Sequence, residues 1–275
     1  MMNKILNARD LHDFDDVAEN YDLYLDAMYK EKDNHAGFLD FYLEFAREYG
    51  KDGVIDIACG TGAVILNLAK HGIIADGTDL SEAMCRVANE KSKSMGFDLN
   101  IFPANMTDFK SDRKYSCAII ARSGFMHLLT PELQRAALLN IRKNLISGGM
   151  LTFNTMDPHP YFQVQQMNTK DTDFSFRFEY VNRHGKREKV YNAVTYDPYT
   201  QVMGGNWKFE TLDDAGNVVE ERIRPIKQRQ TYRQEMKYLL ELYGFDIVNI
   251  YGGYHKEPAE AVTRNVIWCV RKKGE

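Results

Sequence analysis

Hydrophobic and polar positions follow two different periods along the chain, and the period changes near residue 156. Before that point, short apolar runs alternate with segments in which apolar residues recur every three or four positions, which indicates strands followed by amphipathic helices. The predicted strands are 54–57, 73–79, 99–102, 115–121 and 150–154. The predicted helices are 35–49, 63–71, 82–95 and 131–146, preceded by a tyrosine-rich surface helix within 3–32. This alternation suits right-handed crossovers, so we predict a doubly wound, mostly parallel α/β sheet.

The second period, of two residues, runs from residue 157 to residue 226, where helical periodicity is absent. Turn signals interrupt it, and the pattern predicts an antiparallel meander of about four strands. At Thr231 the α/β pattern resumes with a predicted capping box, Thr231 to Gln234, and a helix. Two further strands, 245–251 and 266–271, suit antiparallel pairing.

The predicted organisation is therefore a seven-stranded, Rossmann-like α/β sheet with an antiparallel β insertion between strand five and the last helix. We expect an N-terminal lid and the first part of the core in 1–155, the insertion in 156–230, and the rest of the core in 231–275.

Composition narrows the functional classes. The formal net charge of -4 over 275 residues argues against a protein whose main task is to neutralise a nucleic-acid backbone. No apolar stretch approaches the roughly 20 residues of a membrane helix, and residues 1–16 do not resemble a signal peptide. The four cysteines are far apart and three lie in or beside apolar runs, which favours buried free thiols in a reducing compartment. The expected location is the cytoplasm.

The stretch 54–62 carries the clearest chemistry, because an apolar run meets an acid and then a Gly-x-Gly turn. Glycine at such a turn lets the backbone approach a ligand. A dinucleotide loop needs a third glycine, where this chain has Ile65. Asp56 before the turn and Asp79 after the second strand suit instead a ribose with two free hydroxyls and a positively charged end. S-adenosylmethionine has both features.

On these residues the chain resembles the class I S-adenosylmethionine-dependent methyltransferases. The motifs that carry the resemblance are 56–62, 77–81, 128–133 and 145–151, in the expected order and on the expected elements. The resemblance covers most of 21–154 and the final helix and strand pair. Taken singly, Asp56 and Asp79 could each be ordinary turn or helix-start acids. Their joint placement at the carboxyl ends of adjacent strands favours a ligand site.

The resemblance implies that Asp56 and the backbone around Ala58 and Gly60 face the methionine part of the cofactor. Ala58 stands where the family has its first glycine, a replacement familiar in its small-molecule branch. Asp79 is expected to accept hydrogen bonds from the ribose hydroxyls, and Leu80 to lie on the adenine.

In the loop after strand three, Asn105 and Met106 replace the acid that usually meets the adenine amino group, and asparagine can still accept through its carbonyl. Ala121 and Arg122, at the end of strand four, are expected beside the methionine amine and the transferred methyl. The predicted cofactor-binding residues are Tyr21, Asp56, Ala58, Cys59, Gly60, Gly62, Asp79, Leu80, Asn105, Met106 and Ala121.

The predicted catalytic residues are Tyr21, Arg122 and His127. Tyr21 stands in an Ala-Glu-x-Tyr-Asp context, 18–22, typical of the lid in amino-sugar and glycine N-methyltransferases; the alternative is a core tyrosine. His127 could act as a general base or an orienting donor, or could only support the next helix. Arg122 could pair with a substrate carboxylate or phosphate, or be a solvated loop charge. No cluster with metal-ligand spacing is found in the sequence, so no metal is predicted.

The sequence thus predicts a cytoplasmic methyltransferase for a small-molecule acceptor, N-directed rather than O-directed. The alternatives are an RNA or protein methyltransferase and a non-catalytic cofactor-binding protein. The aromatic run Phe174, Phe176, Phe178 and Tyr180 is interpreted as the core of the inserted sheet or as a homodimer surface. Asn154, Met156 and His159 are expected where a substrate cover would meet the methyl donor.

Overall fold

The computed structural model describes residues 14–30, 36–260 and 263–274, so residues 1–13 of the predicted N-terminal lid lie outside the described residues. The α-helices are α1 (Tyr21–Tyr29), α2 (Phe38–Tyr49), α3 (Ala63–Lys70), α4 (Glu82–Ser94), α5 (Pro131–Asn144), α6 (Pro160–Met167) and α7 (Arg233–Leu242). The strands are β1 (Val54–Ile57), β2 (Ala75–Asp79), β3 (Ile101–Pro103), β4 (Tyr115–Ile120), β5 (Leu145–Met156), β6 (Ser175–Val181), β7 (Arg187–Asp197), β8 (Val202–Leu212), β9 (Val218–Pro225), β10 (Gln228–Arg229), β11 (Phe245–Tyr251) and β12 (Asn265–Lys272).

The larger sheet confirms the predicted fold class. Its seven strands lie in the order β11-β12-β5-β4-β1-β2-β3. Strands β1 to β5 pair in parallel, whereas β12 runs antiparallel to both of its neighbours. From β1 the chain adds β2 and β3 on one side of the sheet, and then β4 and β5 on the other, so the strand order changes direction between β1 and β4. Open α/β sheets bind ligands in the crevice at the carboxyl ends of the strands at such a point.

Apolar residues of β1 face both sides of this sheet because helices cover each side. Val54 packs with α2, α3 and α4, whereas Ile55 and Ile57 pack with α5 and α7. The four residues of β1 are all buried. A strand buried on both faces needs a continuous apolar run, so Asp56 within it is an exception that calls for a function.

The second sheet is antiparallel and contains five strands, in the order β10-β8-β7-β6 with β9 paired to β8. Its inner face packs Tyr180, Val190 and Phe209 against Val17 and Ala18 of the N-terminal segment, residues 14–29. This segment therefore lies between the inserted sheet and the α4 side of the core, where Met84 belongs to the same cluster.

The aromatic run of β6 does not form one face. A register shift between Phe176 and Phe178 pairs Phe176 with Tyr191 and Phe178 with Val190, and these two partners point to opposite sides of β7. Phe176 is consequently 56% exposed, while Tyr180 is buried against the N-terminal segment. A bulge adds one residue and reverses the facing that strict alternation predicts.

Two local predictions were wrong. The segment predicted to lack helices contains α6, which begins at a proline, a residue suited to the first helical turn. The predicted capping box fails because Tyr232 precedes α7 as its N-cap, without a side-chain cap. The Thr231 hydroxyl instead accepts hydrogen bonds from Gln134 Nε2 at 2.9 Å and Arg229 Nη1 at 3.0 Å. Within the described residues, none of the helices is both long and apolar enough to cross a membrane.

Candidate active site

The loop between β1 and α3 turns through three residues with positive φ, Ala58 at 56°, Gly60 at 56° and Gly62 at 90°. For alanine this left-handed conformation costs about 1 kcal/mol or more, which explains why glycine suits the position better. At Gly62 a Cβ atom would lie 3.2 Å from Ala88 Cβ and from Leu66, so glycine permits the close approach of α3 to α4. The loop thus holds the start of α3 against the end of the sheet.

Asp79, the last residue of β2, fixes this loop from the neighbouring strand. Its Oδ2 accepts a hydrogen bond from Gly60 N at 2.8 Å, and its Oδ1 accepts one from Ser81 N at 3.0 Å. Burial raises the pKa of Asp79, and the backbone hydrogen bonds act in the opposite direction. A carboxylate has about four acceptor positions, so both oxygens can still accept from a ligand.

Asp56 is only 1% exposed, and only one of its two carboxylate oxygens has a hydrogen-bond partner. Its Oδ2 accepts from Ile65 N at 3.2 Å, whereas Oδ1 is buried and has no hydrogen-bond partner. Burial raises the pKa of Asp56 to about 8, with a smaller raising effect from Asp79. A buried unpartnered oxygen is unfavourable, so a cationic group of a ligand would stabilise this site.

A cavity of about 900 Å³ opens at the carboxyl ends of β1, β2 and β4. Of the sequence-predicted residues, it is lined by Tyr21, Asp56, Ala58, Cys59, Gly60, Asp79, Leu80, Asn105, Met106, Ala121, Arg122 and His127. Gly62 does not line it and acts through the loop. Asn154, Met156 and His159 are likewise absent from its lining. The lining also includes apolar side chains that the sequence reasoning missed, among them Phe14, Tyr29, Phe38, Leu128 and Leu133.

Asn105 is partly committed to its own loop. Its side-chain Oδ1 accepts a hydrogen bond from Thr107 N at 3.0 Å, which closes a local turn. The predicted contact with an adenine amino group would use the second lone pair of the same oxygen. Cys59 is a buried thiol whose pKa burial raises well above its ordinary value, so it lines the cavity in its neutral form.

The N-terminal segment, residues 14–29, covers one side of the cavity. Tyr21 lies at its centre, and burial raises the pKa of its hydroxyl to about 12, with Arg122 acting in the opposite direction. The neutral phenol can donate a hydrogen bond but is a poor base at neutral pH. Asp22 connects α1 to the core: its Oδ1 accepts from Thr61 Oγ1 at 2.6 Å, and it forms an ion pair with Lys91.

Ion pairs also connect this segment to the inserted sheet. Asp16 Oδ1 lies 3.2 Å from Arg224 Nε, and Glu19 pairs with both Arg183 of the insertion and Arg86 of α4. The Arg224 guanidinium lies 4.0 Å from the centroid of the Phe14 ring. The insertion therefore helps to hold the N-terminal segment over the cavity.

Arg122 and Ser123 follow β4 with φ angles of 50° and 60°. Asn154 of β5 holds this turn, because its Oδ1 accepts from Ser123 N at 2.8 Å and its Nδ2 donates to Ser123 Oγ at 3.0 Å. The Arg122 guanidinium lies over the ring of Phe38, at 4.4 Å from the centroid. No local sequence motif predicts this turn, because Asn154, which holds it, lies 31 residues after Ser123.

His127 lines the cavity from the short 3₁₀ helix Gly124–His127. Burial and, to a smaller extent, the positive charge of Arg224 lower the pKa of His127 to about 4. The imidazole is therefore neutral at pH 7. Its ring meets Phe14 edge to face at 5.6 Å. Among the described residues, no group of three or more His, Cys, Asp or Glu side chains is arranged to hold a metal ion.

Comparison with known proteins agrees with this geometry. Residues 54–149 match the family model described as a methyltransferase domain. The putative methyltransferase of Geobacillus sp. (strain WCH70) is 23% identical over 260 residues, which covers 92% of this chain and 99% of that protein. The dTDP-3-amino-3,4,6-trideoxy-alpha-D-glucopyranose N,N-dimethyltransferase of Streptomyces venezuelae is 29% identical over 137 residues, covering 50% of this chain and 55% of that protein.

Among solved structures, a S-adenosylmethionine-dependent methyltransferase from Clostridium acetobutylicum ATCC 824 superposes with a TM-score of 0.76 at 18% identity, covering 92% of this chain and 98% of that chain. The domain match over residues 54–149 includes the loop after β1 and most of the parallel part of the seven-stranded sheet. Residues 54–149 of the chain thus match a methyltransferase domain, and the chain has the fold of S-adenosylmethionine-dependent methyltransferases.

Proposed function

We propose that this methyltransferase transfers the methyl group of S-adenosylmethionine to a small-molecule amine. The observation that carries the proposal is the cavity of about 900 Å³ covered by the N-terminal segment. Pockets of about 300–1,000 Å³ hold ligands of nucleoside and metabolite size. A covered site suits a small acceptor better than a folded RNA or protein.

The residues at the strand ends fit the methyl donor. Asp79 would accept hydrogen bonds from the ribose, and the unpartnered Oδ1 of Asp56 would accept from the α-ammonium group. Leu80 and Met106 line the cavity and offer apolar contact for an adenine. When bound, S-adenosylmethionine supplies a methyl group on a positively charged sulfur, where an in-line nucleophile can displace it.

The described side chains favour alignment and exclusion of water over strong base catalysis. His127 is neutral and weakly basic, and Tyr21 holds its proton to about pH 12. An alcohol would need such a base, whereas an amine attacks after losing its proton to water. The Streptomyces venezuelae relative, named for N,N-dimethyl transfer to an amino sugar, also supports an amine acceptor.

The test is a methyl-transfer assay that measures S-adenosylhomocysteine released with amines and with their hydroxyl counterparts, each offered at the same concentration. We expect product with an amine and none with its alcohol. Binding of S-adenosylmethionine with transfer only to RNA or protein would overturn the small-molecule assignment. Binding without transfer to any class would indicate the non-catalytic alternative.

A further inference from the structure

We propose, on the basis of the amine transfer proposed above, that Arg122 binds a carboxylate or phosphate group of the methyl acceptor. The acceptor would then be an amine that also carries a negative charge. The backbone at Arg122, its surroundings and the unpaired donors of its side chain each support this assignment.

The backbone at the end of β4 is strained in a way that fixes where Arg122 points. Arg122 and Ser123 are consecutive non-glycine residues in the left-handed region, with φ angles of 50° and 60°. Each such residue costs about 1 kcal/mol or more, and the strain persists only where neighbouring contacts enforce it. Residues in this conformation concentrate at ligand sites.

Asn154 enforces this conformation. Its side chain is 3% exposed, and besides its two hydrogen bonds to Ser123 it donates from Nδ2 to Asn265 Oδ1 at 2.9 Å. The acceptor oxygen and the amide nitrogen of Asn154 are thus both engaged, which leaves the turn little freedom. Asn154 is a positioning residue for Arg122.

The guanidinium of Arg122 has an aromatic environment but no anion. It lies 4.4 Å from the ring centroid of Phe38 and 5.5 Å from that of Tyr29. Its Nε and Nη1 are buried without a hydrogen-bond partner, and it takes part in no ion pair of the described residues. Aromatic rings orient the guanidinium plane, and Arg122 also has a side-chain hydrogen bond with Tyr29. The buried Nε and Nη1 donors remain for hydrogen bonds to the oxygen atoms of an anion.

The other charged groups of the cavity have separate tasks. Asp56 and Asp79 are the acids at the ends of β1 and β2. Of the two lysines that line the cavity, Lys91 is paired with Asp22 and Lys70 is exposed at the end of α3. The charges of both Asp79 and Arg122 act on the pKa of Tyr21. We therefore place the ribose on one side of Tyr21 and the acceptor anion on the other. Holding the acceptor by its anion would align its amine for in-line attack.

The first test titrates inorganic phosphate into protein saturated with S-adenosylhomocysteine, at constant ionic strength set with chloride, and follows thermal unfolding. Arg122→Gln is compared with wild type and with Arg135→Gln, a matched loss of an exposed arginine on α5. We expect phosphate to raise Tm in wild type and Arg135→Gln. Arg122→Gln should need about 10- to 100-fold more phosphate, the loss expected for a charged hydrogen-bonded pair. An equal response in all three proteins would overturn the proposal.

The second test identifies the source of the anion, since the methyl donor also carries a carboxylate. Isothermal titration compares S-adenosylhomocysteine with 5′-methylthioadenosine, which lacks the amino-acid tail. We expect Arg122→Gln to bind each ligand within about threefold of wild type. If the variant loses affinity for S-adenosylhomocysteine alone, Arg122 binds the donor's carboxylate and the acceptor assignment is wrong.

Arg122→Lys provides a second variant should Arg122→Gln fail to fold. It keeps the charge but loses the planar array of N–H donors, so its phosphate response should be intermediate. A lysine variant indistinguishable from wild type in the phosphate titration would contradict a role for the guanidinium donors. If wild type itself does not bind S-adenosylhomocysteine, the proposed methyl transfer fails, whatever the phosphate response shows.

Discussion

The carboxylate of Asp79 at the end of β2 accepts a 2.8 Å hydrogen bond from the backbone amide of Gly60 in the loop after β1. This contact joins the carboxyl ends of two neighbouring strands through a group that also lines the ligand cavity. The acid therefore shapes the glycine loop before any ligand is present. Its remaining acceptor positions are free to receive ribose hydroxyls.

Replacing Asp79 by alanine should weaken binding of S-adenosylhomocysteine by about 1–3 kcal/mol, the cost of losing charged hydrogen bonds. Isothermal titration measures the change directly. Asp98→Ala removes an exposed acid outside the cavity and should bind like wild type. Asp79→Asn should lie between the two because its amide keeps one acceptor oxygen. Unchanged affinity in Asp79→Ala would remove this residue from the ribose site.

The raised pKa of Asp56 predicts that the affinity for the methyl donor depends on pH. With a pKa of about 8, the empty protein carries a proton on Asp56 at pH 6 to 7. An α-ammonium group favours the ionised carboxylate, so binding should release a proton and the affinity should rise with pH, by at most about tenfold per unit. The rise should end near pH 8, where the ligand's own amino group titrates.

Titration calorimetry from pH 6 to pH 8, in two buffers with different ionisation enthalpies, measures both the affinity and the protons released. Asp56→Asn keeps the shape of the side chain and removes the titration, so its affinity should be nearly flat over this range. A wild-type affinity that does not change with pH would show that Asp56 does not meet the ammonium group.

His127 should not act as a strong general base. Burial and the Arg224 charge hold its pKa near 4, so NMR titration of the imidazole should show no protonation between pH 5.5 and pH 8. His127→Gln should lower kcat/KM by less than about tenfold, since loss of a general base costs about 10²- to 10⁴-fold. His71→Gln, at an exposed histidine after α3, serves as the control. A loss of 10²-fold or more in His127→Gln alone would restore the base assignment.

The glycine loop and the two strand-end acids could be predicted because their signals are local. Asp56 and Gly62 stand within one strand, turn and helix, and the period of apolar positions fixes those elements. Asp79 follows from the next strand by the same logic. Parallel strands bring these residues to one edge of the sheet, so their proximity can be predicted from the strands alone, before any side-chain contact is known.

The contacts that hold the other side of the cavity could not be predicted, because the residues that make them are far apart in the sequence. Arg224 meets Asp16 across 208 residues, and Ser123 meets Asn154 across 31. Neither pair follows a periodic pattern. Thr231 matched a capping motif, but its hydroxyl accepts a hydrogen bond from the buried guanidinium of Arg229. This tertiary contact replaces the predicted cap of α7.

The ion pair between Asp22 and Lys91 should control how long the methyl donor stays bound. Asp22 joins α1 to the loop after β1 through Thr61, so its loss should loosen the cover of the cavity. Because both partners are partly exposed, Asp22→Asn should cost less than about 1 kcal/mol of stability. Dissociation of S-adenosylhomocysteine, followed by stopped flow, should accelerate several-fold.

Salt provides the discriminating measurement for the same contact. In wild type, dissociation should accelerate as ionic strength rises, because salt screens a partly exposed pair. Asp22→Asn should start fast and respond less, since the pair is already lost. Glu44→Gln removes another exposed pair, with Lys256, that lies away from the N-terminal segment, and it should behave like wild type. Dissociation in Asp22→Asn at the wild-type rate, with the same salt response, would show that the cover does not depend on this contact.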